Sequence, residues 1–138
     1  MLKILFDHCT PRPLKREFGP KIQVTEAQTV KLAQIRNSQL ELRAHQLGYG
    51  ALITVDTDFG NPHHFPEYHI PVVLLRAFPA VVSATLSILI PEVEEALLGR
   101  ISPGLYVWDN YEGTILSARS LRENSDLRKE LNPKLAND

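Results

Sequence analysis

Two aspartates one residue apart, Asp56 and Asp58, follow the apolar run Leu52-Ile53-Thr54-Val55 and precede the breakers Gly60-Asn61-Pro62. A third, Asp7, closes another apolar run, Leu2-Lys3-Ile4-Leu5-Phe6. Runs this short read as buried strands of a parallel sheet rather than as helices. In open α/β sheets, ligands bind outside the carboxyl ends of the strands. If the two strands are parallel neighbours, Asp7, Asp56 and Asp58 converge at one edge of the sheet. Three carboxylates that close repel one another unless a divalent cation lies between them, and oxygen-only ligands suit Mg²⁺ or Mn²⁺. Such a site activates water and neutralises the charge that develops on a phosphodiester. The competing reading makes Asp7 and Asp58 caps of local turns and leaves Asp56 simply exposed. Spacing leaves both readings open.

The elements that must position these acids alternate in type. Leu2–Phe6 is expected to be the first strand. Thr10 is expected to N-cap a short helix that has Pro11 at or near its start, Leu14 and Phe18 on one face, and Gly19-Pro20 as its stop. Ile22–Thr25 alternates as a short strand, whereas 26–36 fits either one helical turn or an irregular loop. Ser38 with Glu41 three residues on forms a capping box, and Leu40, Ala44 and Leu47 follow at helical spacing up to Gly48 and Gly50. The acid-bearing strand comes next, and residues 61–69 then lack periodicity and read as an exposed loop.

Ile70–Leu75 is a further buried-strand run, with Pro71 tolerable only at its start. Leu86, Leu89, Val93 and Leu97 mark one helix face that Gly99 ends; Pro91 inside it predicts a kink or two consecutive helices. Residues 104–108 and 114–118 flank a five-residue loop and read as a terminal hairpin. Strands alternating with helices give an α/β domain with a mainly parallel sheet and a C-terminal β-hairpin. It spans 1–120 and is followed by a polar tail, 121–138.

Charge and composition narrow the partners. With 138 residues the chain is long enough for one domain with a real core, and its formal net charge of −1 argues against bulk electrostatic coating of nucleic acid. The distribution is uneven. Residues 1–50 carry eight Lys/Arg against four Asp/Glu, and 51–110 carry two against seven. A basic rim beside an acidic pocket would suit a phosphate-bearing substrate; an unevenly charged solvated surface is the plain alternative. No apolar run approaches the roughly 20 residues needed to span a bilayer, and Asp7, His8 and Pro11 interrupt the start before a signal-peptide core forms. The single Cys9 excludes an internal disulfide framework and is compatible with a reducing cytoplasm.

Other constellations carry less. His8, Cys9, His63, His64 and His69 lack the pairwise spacing of a zinc site; the histidines read as plain surface residues or as substrate contacts from a loop, and Cys9 as a buried or half-buried small side chain. A phosphoacceptor receiver domain needs paired acids after strand one and a lysine after the last strand. His8 follows Asp7, and no lysine lies between Lys31 and Lys129. Tyr106 and Trp108 read as packing or as a dimer contact.

Three stretches taken together carry a resemblance: Leu5-Phe6-Asp7-His8-Cys9 with Pro11, Asn37-Ser38-Gln39-Leu40 with Ala44, and Ile53-Thr54-Val55-Asp56-Thr57-Asp58-Phe59. They resemble the small PIN-like domains of the DUF5615 and Mut7-C type over roughly residues 1–120, and Thr54-x-Asp56-x-Asp58-Phe59 is the most specific part. The resemblance implies a three-layer α/β/α fold and a Mg²⁺/Mn²⁺-dependent ribonuclease, often the toxin of a toxin–antitoxin pair. It implies Asp7, Asp56 and Asp58 as metal ligands and Thr54 as their support. RNA is the implied substrate and an antitoxin protein the implied partner. The family commonly has an acid at the start of the middle helix, where this chain has Asn37. Asn37 would then orient metal or water, and Arg12, Lys15 and Arg16 would meet phosphate. The amide at position 37 also raises the alternative of a degenerate member that binds RNA or protein without cutting.

Overall fold

Side chains on a strand point alternately to its two faces, and this chain sorts its apolar residues by that rule. In the computed structural model, which describes residues 1–60, 67–78, 86–111 and 114–120, six strands form one sheet. They are β1 (Leu2–Phe6), β2 (Ile22–Glu26), β3 (Ala51–Thr54), β4 (Pro71–Phe78), β5 (Gly104–Tyr111) and β6 (Thr114–Ser120). The spatial order is β2-β1-β3-β4-β5-β6. The first five are mutually parallel, and β6 pairs antiparallel with β5.

Leu5, Leu52, Val72, Leu74, Leu105 and Val107 pack on one face, with Leu40 and Ala44 of α1 (Asn37–Gln46). Ile4, Phe6, Ile53, Val73, Leu75 and Trp108 pack on the other, with Ile90, Val93 and Leu97 of α2 (Ile90–Leu98). The result is a three-layer α/β/α domain with a parallel centre, as the alternation of strands and helices predicts. Full burial of one such side chain stabilises the fold by about 1.5–3 kcal/mol relative to exposure. Strands with both faces covered must be apolar on both, which is why β1, β3 and β4 read as nearly continuous apolar runs.

Pro91 falls in the first turn of α2, where its missing N–H is not needed. A 3₁₀ turn, Ser87–Leu89, precedes it, so the second form of that expectation holds: two consecutive helical pieces. Leu86, Leu89, Val93 and Leu97 are all buried on the expected face. Pro71 occupies the first residue of β4, as required. Gly48, at φ +88°, ends α1 in the left-handed conformation that glycine adopts without strain.

Several local expectations are corrected. No capping box starts α1: its N-cap is Arg36 without a side-chain bond, and Glu41 turns away to bond the main chain before β4. Thr10 caps nothing. The segment after it is a 3₁₀ helix, Arg12–Glu17, with Pro11 as N-cap, and the Thr10 hydroxyl points to Asp7 instead. The strand before the acids stops at Thr54, and Asp58 lies in a 3₁₀ turn, Thr57–Gly60. Asp109, Asn110 and Tyr111, expected in a loop, continue β5. The residues joining β5 to β6, most of the expected loop at 61–69, and the tail lie outside the described residues.

Candidate functional site

The strand order places β1 between β2 and β3, so successive connections leave β1 in opposite directions. That makes the β1/β3 crevice the topological switch point, the place where such sheets hold ligands at the carboxyl ends of their strands. Asp7 follows the last residue of β1, and Thr54 is the last residue of β3. Their in-register neighbours Phe6 and Ile53 fix the two ends at the same level.

The hydrogen bonds join four residues into one unit. The Thr54 hydroxyl donates to Asp7 Oδ2 at 2.5 Å and accepts the Asp56 backbone N–H at 3.0 Å. Asp56 Oδ2 accepts from Asn37 Nδ2 at 2.8 Å, which ties it to the first turn of α1. Thr54 is therefore buried for a polar reason, because its hydroxyl holds one acid by the side chain and the other by the main chain.

Asp7 is itself buried, and its partners are hydroxyls. Thr10 Oγ1 lies 2.5 Å from Asp7 Oδ1 and 2.9 Å from the Ile53 carbonyl oxygen. A hydroxyl has one proton and serves only one of those acceptors. A protonated Asp7 removes the conflict by donating to Thr10, which then donates to Ile53. Burial acts in the same direction: it pushes the Asp7 carboxyl above its ordinary 3.8, and the nearby Asp56 charge adds to the rise, against the hydroxyl bonds and His8, which lower it. Two acids at one strand edge, one of them destabilised as an anion, form a pair that a cation would stabilise.

The donor chemistry fits a hard divalent ion. Mg²⁺ is commonly held by one or two carboxylates and completes its shell with water and substrate phosphate, and Asp7 and Asp56 are oxygen donors of that type. Among the described residues no group of three or more His, Cys, Asp or Glu side chains could hold a metal together. The backbone of Asp58 passes beside the site in the turn after Asp56, and its side chain lies outside the described set.

The remaining candidates separate. Arg12 and Lys15 reach Glu26 at 2.9 and 4.0 Å. Glu26 stands in register with Phe6, whose side chain faces α2, so this cluster is on the face away from Asp7. Arg16 is exposed on the same turn. His8 Nε2 and Cys9 Sγ, 3.4 Å apart, stand exposed near the acids, so Cys9 is not the buried or half-buried side chain expected of it. Partial burial and then the Asp7 and Asp56 charges push the Cys9 thiol up, which disfavours the thiolate a nucleophile or soft-metal ligand needs. A cavity of about 660 Å³ opens at the opposite, amino-terminal edge of the sheet, lined among others by Leu2, Pro20, Gly50, Pro71, Leu97 and Ile101. It holds no carboxylate and lies far from the acid pair along the strands.

Sequence reasoning missed Thr10, Arg76 and Asp109. Arg76 Nε donates to Asp109 Oδ1 at 2.7 Å across β4 and β5, and both are largely buried. The available signal was a charged residue interrupting each of two apolar strand runs, Pro71–Phe78 and Gly104–Tyr111.

No helix among the described residues is long and apolar enough to cross a membrane. Comparison of the chain with protein-family models, with curated proteins and with solved structures returned no match.

Proposed function

We propose that this chain is a PIN-like, divalent-metal-dependent ribonuclease whose site is built on Asp7 and Asp56, with Asp58 as the third acid. The observation that carries the reading is the Thr54 hydroxyl bridging both acids at the switch point of a parallel sheet. Asp7 and Asp56 would hold Mg²⁺ or Mn²⁺, which when bound supplies electrostatic stabilisation of the phosphodiester's developing charge. Thr54 fixes the distance between the two acids. Asn37 holds Asp56 in one rotamer from the start of α1. Thr10 accepts or donates at Asp7 as the acid changes protonation state. A cytoplasmic location and a small antitoxin partner belong to the same reading.

The test is calorimetric Mn²⁺ titration alongside cleavage of a mixed-sequence RNA, wild type against Asp56→Asn. Metal binding and chelator-sensitive cleavage are expected in the wild type, and both are expected to vanish in the variant with its melting transition retained. Cleavage that survives in Asp56→Asn sinks the assignment.

Asn37 favours a second reading. It supplies a neutral amide to Asp56 at the helix start, where an acid would add a ligand and a charge. On that reading the chain binds RNA or a protein without cutting. RNA binding by pure protein with no cleavage at millimolar Mn²⁺ selects it.

A further inference from the structure

The cavity at the amino-terminal edge of the sheet belongs to no part of the acid site. Leu2 of β1 and Pro71 of β4 line it, together with Leu97 and Leu98 of α2 and Ile101 of the link to β5. Leu2, Leu97 and Ile101 pack with the core on the α2 face, so the cavity opens directly from that core. Leu98 remains 38% exposed, an unusual place to leave a leucine uncovered. The volume, about 660 Å³, falls within the roughly 300–1,000 Å³ of small-molecule sites. No aromatic residue lines the cavity, so its apolar wall is aliphatic. The charged side chains of the lining are Lys21 and Arg100, both exposed and both positive. Neither has a side-chain partner among the described residues.

The backbone singles out Arg100. It holds a left-handed conformation, φ +57°, directly after α2. Helices that end this way place glycine at that position, because a Cβ strains it. Here the glycine stands one residue early: Gly99, at φ −77°, is a right-handed C-cap, and arginine takes the strained place. Strained residues of this kind cluster at ligand sites. Attraction of the cation to the carbonyl end of α2 is the competing account. The rest of that turn argues against it. The last turn of α2 has no basic residue, and its exposed Glu95 has the wrong sign for a helix C-terminus.

We propose that this cavity binds a medium-chain aliphatic carboxylate. The tail lies against Leu2, Leu97, Leu98 and Ile101, and the head pairs with Arg100, with Lys21 as a second cation. A guanidinium fork matches the two oxygens of a carboxylate. One negative charge suits the site better than two, because the free carbonyls that end α2 repel anions. The proposal is independent of the phosphodiester reading, whose acids stand at the other edge of the sheet.

The test is calorimetric titration with decanoate at low salt, below its micelle-forming concentration. Decanoate should bind saturably, and decanol, with the same tail and no charge, should bind about tenfold more weakly. Arg100→Gly is expected to weaken decanoate about tenfold, the loss of one hydrogen-bonded charge. The same variant should melt at or above the wild-type temperature, since glycine relieves the left-handed strain. Leu98→Trp, which fills the cavity from an exposed position, should abolish binding of both probes. Decanoate affinity retained in Arg100→Gly overturns the proposal, and a lowered melting temperature with it makes Arg100 a partner of the helix end. Decanol binding as tightly as decanoate removes the anionic head, and binding that survives Leu98→Trp places the ligand elsewhere. Absence of saturable binding, in a chain that sediments as a dimer and is dissociated by Leu98→Arg, gives this face to a second copy instead.

Discussion

Asp7 and Glu41 are equally buried carboxylates, each 1% exposed, yet their surroundings differ in kind. Glu41 Oε2 accepts the backbone N–H groups of His69 and Ile70 at 2.6 and 2.9 Å, and its Oε1 lies 2.8 Å from His69 Nδ1. A backbone N–H can only donate, so each of these groups needs an acceptor oxygen. Glu41 therefore clamps α1 to the chain entering β4. Asp7 meets hydroxyls, which donate or accept, and burial raises its pKa. One acid is committed to a structural role. The other is held by hydroxyls that serve the carboxyl in either protonation state.

The largest effect that tests this contrast is on binding. Asp7→Asn should abolish Mn²⁺ binding by calorimetry and lower RNA cleavage by at least a hundredfold, whereas Glu41→Gln should leave metal affinity within a fewfold of wild type. Equal metal binding in Asp7→Asn and wild type would break the comparison outright.

Stability should show the reverse order. Glu41→Gln replaces a charged acceptor of two main-chain bonds and is expected to cost about 3 kcal/mol in urea unfolding, from roughly 1.5–3 kcal/mol per hydrogen bond to a charged group. Asp7→Asn in metal-free protein at pH 7 should be neutral or stabilising. If it destabilises as much as Glu41→Gln, Asp7 is a structural acid too.

Proton linkage sharpens the point. Because the folded-state pKa of Asp7 lies above its unfolded value, near 3.8, the folded protein binds this proton more tightly than the unfolded chain. The stability linked to that proton is complete below about pH 4 and is lost as pH rises through the folded pKa. The stability of Asp7→Asn relative to wild type should therefore grow with pH over that range in chelator, and shrink again on adding Mn²⁺. A pH-independent difference would show that burial leaves Asp7 unperturbed.

The smallest effect concerns Arg12 and Lys15. Their bonds to Glu26 are made by exposed side chains, so Arg12→Ala should change stability by about 0.2–1 kcal/mol. RNA affinity should stay at wild type. A loss of about tenfold in RNA affinity would assign phosphate binding to the first basic segment.

The layer architecture was legible because burial on both faces forces continuous apolar strands and a one-sided apolar helix. β1 and the buried face of α2 follow almost residue for residue, and Pro71 and Pro91 fall where expected, whereas β4 runs three residues past the expected end at Leu75. Local polar signals misled, since a hydroxyl or carboxylate near a helix start bonds whichever donor or acceptor the fold brings closest. Thr10 and Glu41 both have the right local spacing to cap, yet Thr10 bonds back to Asp7 and across to the Ile53 carbonyl, and Glu41 reaches the His69–Ile70 main chain. The sequence by itself determined that acids end two strands and that helices cover both faces of the sheet. Only the tertiary structure decided that β1 and β3 are neighbours, and with that which hydroxyl links Asp7 to Asp56. It also set Arg76 against Asp109, because strand register is a property of the assembled sheet and no single segment encodes it.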